Sequence, residues 1–540
     1  MTLPWEKVES SGPSVVDNVV EGWILAPRYK QTIDWSRINE GYRREDVRRH
    51  LGGLPGIVGA KVTNDQNAAS MKEFEDFCEE NICVRHTDRT ETPSEWTLDR
   101  PLDLSIPDTR LIKNLNVHKV YELNAVQRRV VPLIREGRSV IVEAPTGIGK
   151  TYAFLIPIVE RVLAEQAAGN GRNASKPSPY VLVLSSTGRL ATQSYNRCNL
   201  VLGMREDDRV QPIFEVKIDR LVADHKFTNT ECDIAFATMG KLKQMIEDDS
   251  LCLDNLRTII IDEADKMVDC SSFGMDVQWL FEKLKEEVRA SLQTCFFSAT
   301  YLKQQDGEVS QTGVMLNMLA DREYSYVHCP RKSGYIKQFV IQIPRPDFSL
   351  TNNTWLRKMI EIRKLIDADL AEQNTRKEGP YKQTMIIFCE QVTRVAQVTM
   401  ALRQMGYNFY PMSRQVLKDQ QEIYLNDLAH LRIHGVVSTN VLARGIDVPS
   451  IKHTVVMEMS TDLDTYKHRI GRVGRDGSGG KATVFIDSIS MTCPRTANTV
   501  EMLVDYLMES EEEVPEWLKK WYNERQEMLH EYESQSQRYF

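Results

Sequence analysis

Between residues 97 and 333, short apolar runs rich in branched residues alternate with helical patterns. The runs are SVIVEA at 139–144, PYVLVLSS at 179–186, CDIAFAT at 232–238, LRTIIIDEAD at 256–265 and TCFFSAT at 294–300. Strands that are apolar at every position need cover on both faces, and helices between them supply it, so this half predicts a parallel sheet. A second series begins near Tyr335 with YIKQFVIQIP and continues through TMIIFCE (384–390), HGVVSTN (434–440), KHTVVMEM (452–459) and KATVFID (481–487). The expected fold class is α/β, with two tandem parallel-sheet domains over 97–333 and 334–497. Residues 1–96 carry charge, Gly, Pro and only short apolar patches such as GGLPGIVGAKV, and predict a mostly flexible extension. Residues 498–540 predict a charged helical tail in which Trp517, Leu518 and Trp521 fit a stripe packed on the second domain.

Composition narrows this picture in three ways. The 540-residue chain is 41% hydrophobic, enough for more than one core. Its net charge of -8 argues against a generally cationic nucleic-acid coat while leaving room for a locally basic cleft. Ten cysteines are scattered without a CxxC pair, as expected of reduced thiols in the cytosol or nucleus. Cys78 and Cys83 have no second pair to complete a metal site and read as buried thiols. The start MTLPWEKVES is polar and acidic, unlike a signal peptide, and no apolar run approaches the roughly 20 residues that span a bilayer, so no membrane role is expected.

The chemistry concentrates first at Ala144, Pro145, Thr146, Gly147, Ile148, Gly149, Lys150 and Thr151, the octet APTGIGKT between a strand and the helical TYAFLIPIVERVL. This is the setting of a phosphate-binding loop. Gly147 and Gly149 let the backbone curl its N–H groups toward phosphates at the positive end of the following helix. Lys150 supplies a cation for the β and γ phosphates, and the Thr151 hydroxyl is a candidate Mg²⁺ ligand. A nucleoside triphosphate is the expected substrate. Asp262, Glu263, Ala264 and Asp265 follow the branched run TIII, at the strand end where open α/β sheets bind ligands. Asp262 is placed to hold Mg²⁺ through water, and Glu263 to orient or deprotonate an attacking water. HRIGRVGRDG at 468–477 carries Arg469, Arg472 and Arg475 at three-residue spacing, which a helical turn presents on one side. Arginines from a second domain are suited to stabilise transition-state charge, which makes hydrolysis depend on domain closure.

With DEAD at 262–265, SAT at 298–300, ARGID at 443–447 and HRIGRVGR at 468–475, the chain resembles the DEAD-box ATP-dependent RNA helicases over about residues 97–497. FEDFCEENICVRHTD at 74–88 and EVPEWL at 513–518 resemble the flanks of the Vasa-like subgroup. The resemblance implies two RecA-like domains, ATP and Mg²⁺ as cofactors, and RNA held by sequence-independent backbone contacts. It implies that Gln127 reads adenine and that Asp447 contacts the nucleotide from the second domain. RNA contacts fall to Thr187, Gly188, Thr238, Gly240, Lys241 and Thr439. Asp265, Ser298, Thr300 and His468 match positions that couple ATP binding to RNA strand separation.

The sequence also departs from that family's pattern. Leu102, Leu123 and Asn124 stand where an aromatic, Pro and Thr are usual, Gly188 where an arginine is usual, and Met239 and Lys241 where Pro and Arg are usual. The last three imply weaker or unusual RNA contact, which keeps an ATP-gated RNA clamp or scaffold as the alternative to an unwinding enzyme. A DNA translocase lacks support from any aromatic track for single-strand stacking, and a GTPase from any guanine-reading NKxD. Protein partners in a ribonucleoprotein assembly and a cytoplasmic location, in perinuclear germline granules, follow from the Vasa-like flanks as expectations.

Overall fold

The computed structural model describes residues 65–536 except 89–90, 92–107, 119, 169–175, 205–209, 224, 228–230, 269–272, 300–314, 316–317, 320–322, 331–334, 345–353, 375–383, 443–450 and 475–478. The chain divides into two compact units, one of them Lys72–Lys332 and the other built on Ser333–Phe540.

In the first unit the elements run α1 (Asp65–Asn81), β1 (Cys83–His86), α2 (Thr109–Val117), α3 (Ala125–Arg135), β2 (Ser139–Glu143), α4 (Lys150–Ala167), β3 (Val181–Ser185), α5 (Gly188–Val201), β4 (Ile218–Leu221), β5 (Ile234–Ala237) and α6 (Met239–Glu247). They continue through β6 (Thr258–Asp262), α7 (Ala264–Met267), α8 (Gly274–Lys283), α9 (Glu286–Ser291), β7 (Gln293–Ser298) and β8 (Tyr324–His328). The sheet order is β1-β8-β2-β7-β6-β3-β5-β4, parallel throughout except for the antiparallel pairing of β1 with β8. Strands β2, β3, β5, β6 and β7 are buried at every position, because successive side chains enter two different cores. In β6, for example, Ile260 joins the core on one face while Ile259 and Ile261 join the core on the other.

The second unit runs β9 (Ile336–Ile343), α10 (Thr354–Asn374), β10 (Thr384–Phe388), α11 (Val392–Gln404), β11 (Phe409–Met412), α12 (Lys418–Ala429), β12 (Gly435–Ser438), β13 (Ile451–Val456), α13 (Leu463–Ile470), β14 (Gly480–Asp487), α14 (Ser488–Thr492), α15 (Pro494–Glu509) and α16 (Glu516–Ser536). Its parallel sheet has the order β11-β12-β10-β13-β14-β9. The two expected sheets are therefore both present. No helix among the described residues is long and apolar enough to cross a membrane.

Two expected boundaries need correction. The expected domain start at 97 lies inside the first unit: β1 adds a strand to its sheet edge, and Cys78 of α1 is part of its core. The rest of the extension, residues 1–64, lies outside the described residues. The 497/498 boundary cuts α15, whose Val500, Leu503, Val504 and Leu507 are buried in the second core. The tail is thus continuous with that core, where Leu518 is fully buried beside Trp517 and Trp521, as the helical stripe predicts. Strands β1, β4, β8 and β11 escaped the sequence reading. They are short and lie at or near a sheet edge, and β4 and β8 alternate buried with half-buried positions instead of forming apolar runs.

Candidate nucleotide site and nucleic-acid face

Strand order puts the motifs side by side. β2, β7, β6, β3 and β5 are parallel, so their carboxyl ends share one edge of the sheet. Along that edge lie, in turn, the APTGIGKT loop after β2, Ser298 ending β7, Asp262 ending β6, Thr187 just past β3 and Thr238 just past β5. The Ala144 N–H donates to the Ser298 carbonyl at 3.1 Å, tying the phosphate loop to the SAT tripeptide. Thr300 lies outside the described residues.

The loop has the conformation its glycines suggested: Gly147 and Gly149 both take left-handed φ, 84° and 86°. Lys150 opens α4 and its Nζ donates to the carbonyls of Ala144 and Pro145, so the cation is held against the loop. Asn124 and Gln127 clamp the loop from α3. Asn124 caps that helix in a capping box with Gln127, while Asn124 Nδ2 donates to the Ile148 carbonyl at 2.6 Å and Gln127 Nε2 to the Gly149 carbonyl at 3.0 Å. Asn124 is thus one of the departures from the family pattern, and it is well used. Gln127 is buried and spends its oxygen on the Asn124 N–H. From α1, Glu75 accepts from the Ala125 N–H at the start of α3.

Glu263 has φ 53° and ψ 52°, the left-handed region that costs a residue with a side chain roughly 1–3 kcal/mol and is retained chiefly at functional sites. Its carboxylate accepts from the Ser186 hydroxyl at 2.8 Å. Burial and the neighbouring Glu263 carboxylate push Asp262 up to about 7, against the opposing pull of Lys150 and Arg197. The Thr151 hydroxyl and the Asp262 carboxylate are hard oxygen donors that fit Mg²⁺, and the Arg197 cation already bonds the first and acts on the second. Asp265 is buried on α7.

On the nucleic-acid side, Thr187 caps α5, accepting from the Leu190 N–H at 3.3 Å, and Gly188 follows it. Thr238 precedes α6, the exposed Gly240 lies in its first turn, and Lys241 Nζ donates to Gln244 at 3.1 Å.

In the second unit Thr439 is buried just past β12, and Asp447 and Arg475 lie outside the described residues. The expectation of a helical turn carrying the arginine repeat is not met for Arg469 and Arg472. Helix α13 ends at Ile470, and Arg469 is fully buried, donating to Asn440, Glu390 and the Glu458 carbonyl. Arg469 is therefore a structural residue of its own unit. Arg472, beyond the helix, donates from Nε to the carbonyl of the buried His468 at 3.1 Å.

Comparison with known proteins now decides the family. The model for "DEAD/DEAH box helicase" matches residues 124–306 and that for "Helicase conserved C-terminal domain" matches 362–477, together more than half of the chain. The chain belongs to the DEAD-box helicases. Its similar relatives include "ATP-dependent RNA helicase glh-3" of Caenorhabditis elegans, 27% identical over 73% of this DEAD-box chain and 52% of the relative. Another is "ATP-dependent RNA helicase glh-4" of the same organism, 27% identical over 81% of this chain and 36% of the relative. The chain spans about half the length of the first and about a third of the second. Among solved structures, S. cerevisiae Dbp5 bound to RNA and ADP BeF3 matches with a TM-score of 0.58 at 20% identity, over 75% of this chain and 92% of that one. Mss116p bound to ssRNA and AMP-PNP matches with a TM-score of 0.60 at 20% identity, over 78% and 87%. These likenesses show the RecA-like fold.

Proposed function

We propose that this chain is an ATP-dependent RNA helicase, an RNA-stimulated ATPase that remodels short duplexes or RNA–protein complexes through ATP-driven closure of its two sheet domains. The single sheet edge carrying the phosphate loop, Ser298, Asp262 and Glu263, with Thr187 and Thr238 beyond them, supports this reading. Lys150 exchanges its loop carbonyls for the β and γ phosphates, and the loop N–H groups cradle them. Thr151 and Asp262 hold Mg²⁺, which when bound neutralises charge on the phosphate oxygens. Glu263, oriented by Ser186, positions the attacking water and accepts its proton. Gln127 and Asp447 serve nucleotide recognition, and Arg472 and Arg475 supply transition-state cations on closure. RNA lies along Thr187, Gly188, Thr238, Gly240 and Lys241, with Thr439 contributing from the second unit. The groups that couple ATP state to strand separation are Asp265, Ser298, Thr300 and His468.

A clamp with little unwinding is the second reading, favoured by Gly188 where the family carries an arginine and by Met239 and Lys241 where it carries Pro and Arg. In either case we place the chain in cytoplasmic ribonucleoprotein assemblies of perinuclear germline granules, which fluorescence imaging of the tagged chain tests. The decisive variant is Glu263→Gln. Loss of the base should lower RNA-stimulated hydrolysis by roughly 10²–10⁴-fold while ATP-dependent RNA retention increases. Hydrolysis at the wild-type rate would remove Glu263 from the mechanism. In wild type, RNA-stimulated hydrolysis without release of a short duplex selects the clamp.

A further inference from the structure

We propose that Arg197, which lies in none of the recognised motifs, sets how strongly nucleotide binding depends on Mg²⁺. The proposal rests on the nucleotide site described above and adds a residue to it. Arg197 sits late in α5, and its Nη1 donates to Thr151 Oγ1 at 3.0 Å. Its guanidinium carbon lies 6.0 Å from the Tyr152 ring centroid, so the group lies over the first turn of α4. One arginine thus hydrogen-bonds one of the two oxygen donors that fit the divalent ion.

The chemistry follows from that position. A guanidinium keeps its charge at any physiological pH, so it cannot yield to an incoming metal by losing a proton. The Thr151 oxygen accepts its hydrogen bond with electrons that a metal ligand must offer to the ion. Mg²⁺ therefore has to displace the guanidinium or bind against its repulsion. With the diphosphate present and the metal absent, the same cation offsets phosphate charge. Arg197 accordingly strengthens metal-free nucleotide binding and weakens the gain that Mg²⁺ brings. Because linkage is reciprocal, one ratio reports both effects.

The test is ADP affinity of the full chain by titration calorimetry, in excess Mg²⁺ and in EDTA, expressed as the ratio of the two dissociation constants. Arg197→Gln should raise the ratio of the EDTA value to the Mg²⁺ value by about tenfold, the scale of removing one charge a few ångströms from a divalent ion. Most of that rise should come from weaker binding in EDTA. Arg197→Met, which keeps an apolar stem over Tyr152, should behave like Gln. Arg197→Lys should stay near wild type, a rescue that lost packing would not give. An unchanged or lower ratio in both neutral variants overturns the proposal. Absence of ADP binding to wild type in either condition would instead overturn the nucleotide site itself.

Discussion

Adding one methyl group at Gly149 should disable nucleotide binding, because the loop there is confined from two directions. Its φ of 86° is a backbone state that alanine occupies at a cost of roughly 1–2 kcal/mol. An added Cβ would also stand 2.6 Å from Gln127 Nε2 and 2.8 Å from Asn124 Nδ2. Both are ends of side chains and can move, but moving them breaks their hydrogen bonds to the Gly149 and Ile148 carbonyls, worth about 1 kcal/mol each. The combined penalty of about 3 kcal/mol corresponds to roughly a hundredfold loss in ADP affinity. Titration calorimetry on the full chain measures it. Gly240→Ala is the matched control, since its Cβ meets nothing within 4 Å, and it should bind ADP as wild type does. The clamp reasoning fails if Gly149→Ala binds ADP within threefold of wild type with an unchanged thermal midpoint.

Restoring an arginine by Gly188→Arg meets only ordinary contact, with Val222 Cβ at 3.6 Å, and should steepen the salt dependence of RNA binding by somewhat less than one log–log unit. An unchanged slope would mean that Gly188 does not face RNA. In the second unit, burial raises the Asp487 carboxyl, but the Lys358 ammonium 2.7 Å away and the Ser490 hydrogen bonds outweigh it and hold the group below its ordinary 3.8. That depression stabilises the fold above about pH 4 and is lost as pH falls through the lowered value. Asp487→Asn should therefore flatten the acid limb of the stability curve and cost about 3–5 kcal/mol at neutral pH by leaving Lys358 buried without its charge partner, as chemical denaturation at a series of pH values would read out. Thiol labelling of the native chain should reach Cys493, whose backbone and side-chain hydrogen bonds lower its pKa, long before Cys198 and Cys389, which burial pushes far up. Equal rates would contradict the packing of both cores.

Both sheets were legible because a strand such as TIIID, apolar through three successive positions and covered on both faces, announces itself without any partner. The APTGIGKT and DEAD segments were legible because their chemistry is local to a few residues. What pairs at long range was not. β1 is four residues of mixed polarity whose strand character comes from β8, more than 230 positions away. Arg197 gave no signal because its meaning lies in reaching Thr151 across two helices. Asn124 and Gln127 did carry a readable sign, the N-x-x-Q spacing of a capping box, and only their second role as a clamp on the loop needed the structure. The arginine repeat misled for the opposite reason: three-residue spacing suggests one face only while the helix lasts, and α13 stops at Ile470.

Glu75, seated on the first N–H of α3, lies in the 74–88 flank and precedes the matched domain by almost fifty positions. The recognisable domain is therefore smaller than the unit that evolution can tune. Two chains with identical catalytic signatures can hold nucleotide with different strength if their leading helices differ. A fragment trimmed to the signatures would keep every named catalytic group and still lose the carboxylate that steadies the helix on which the loop leans.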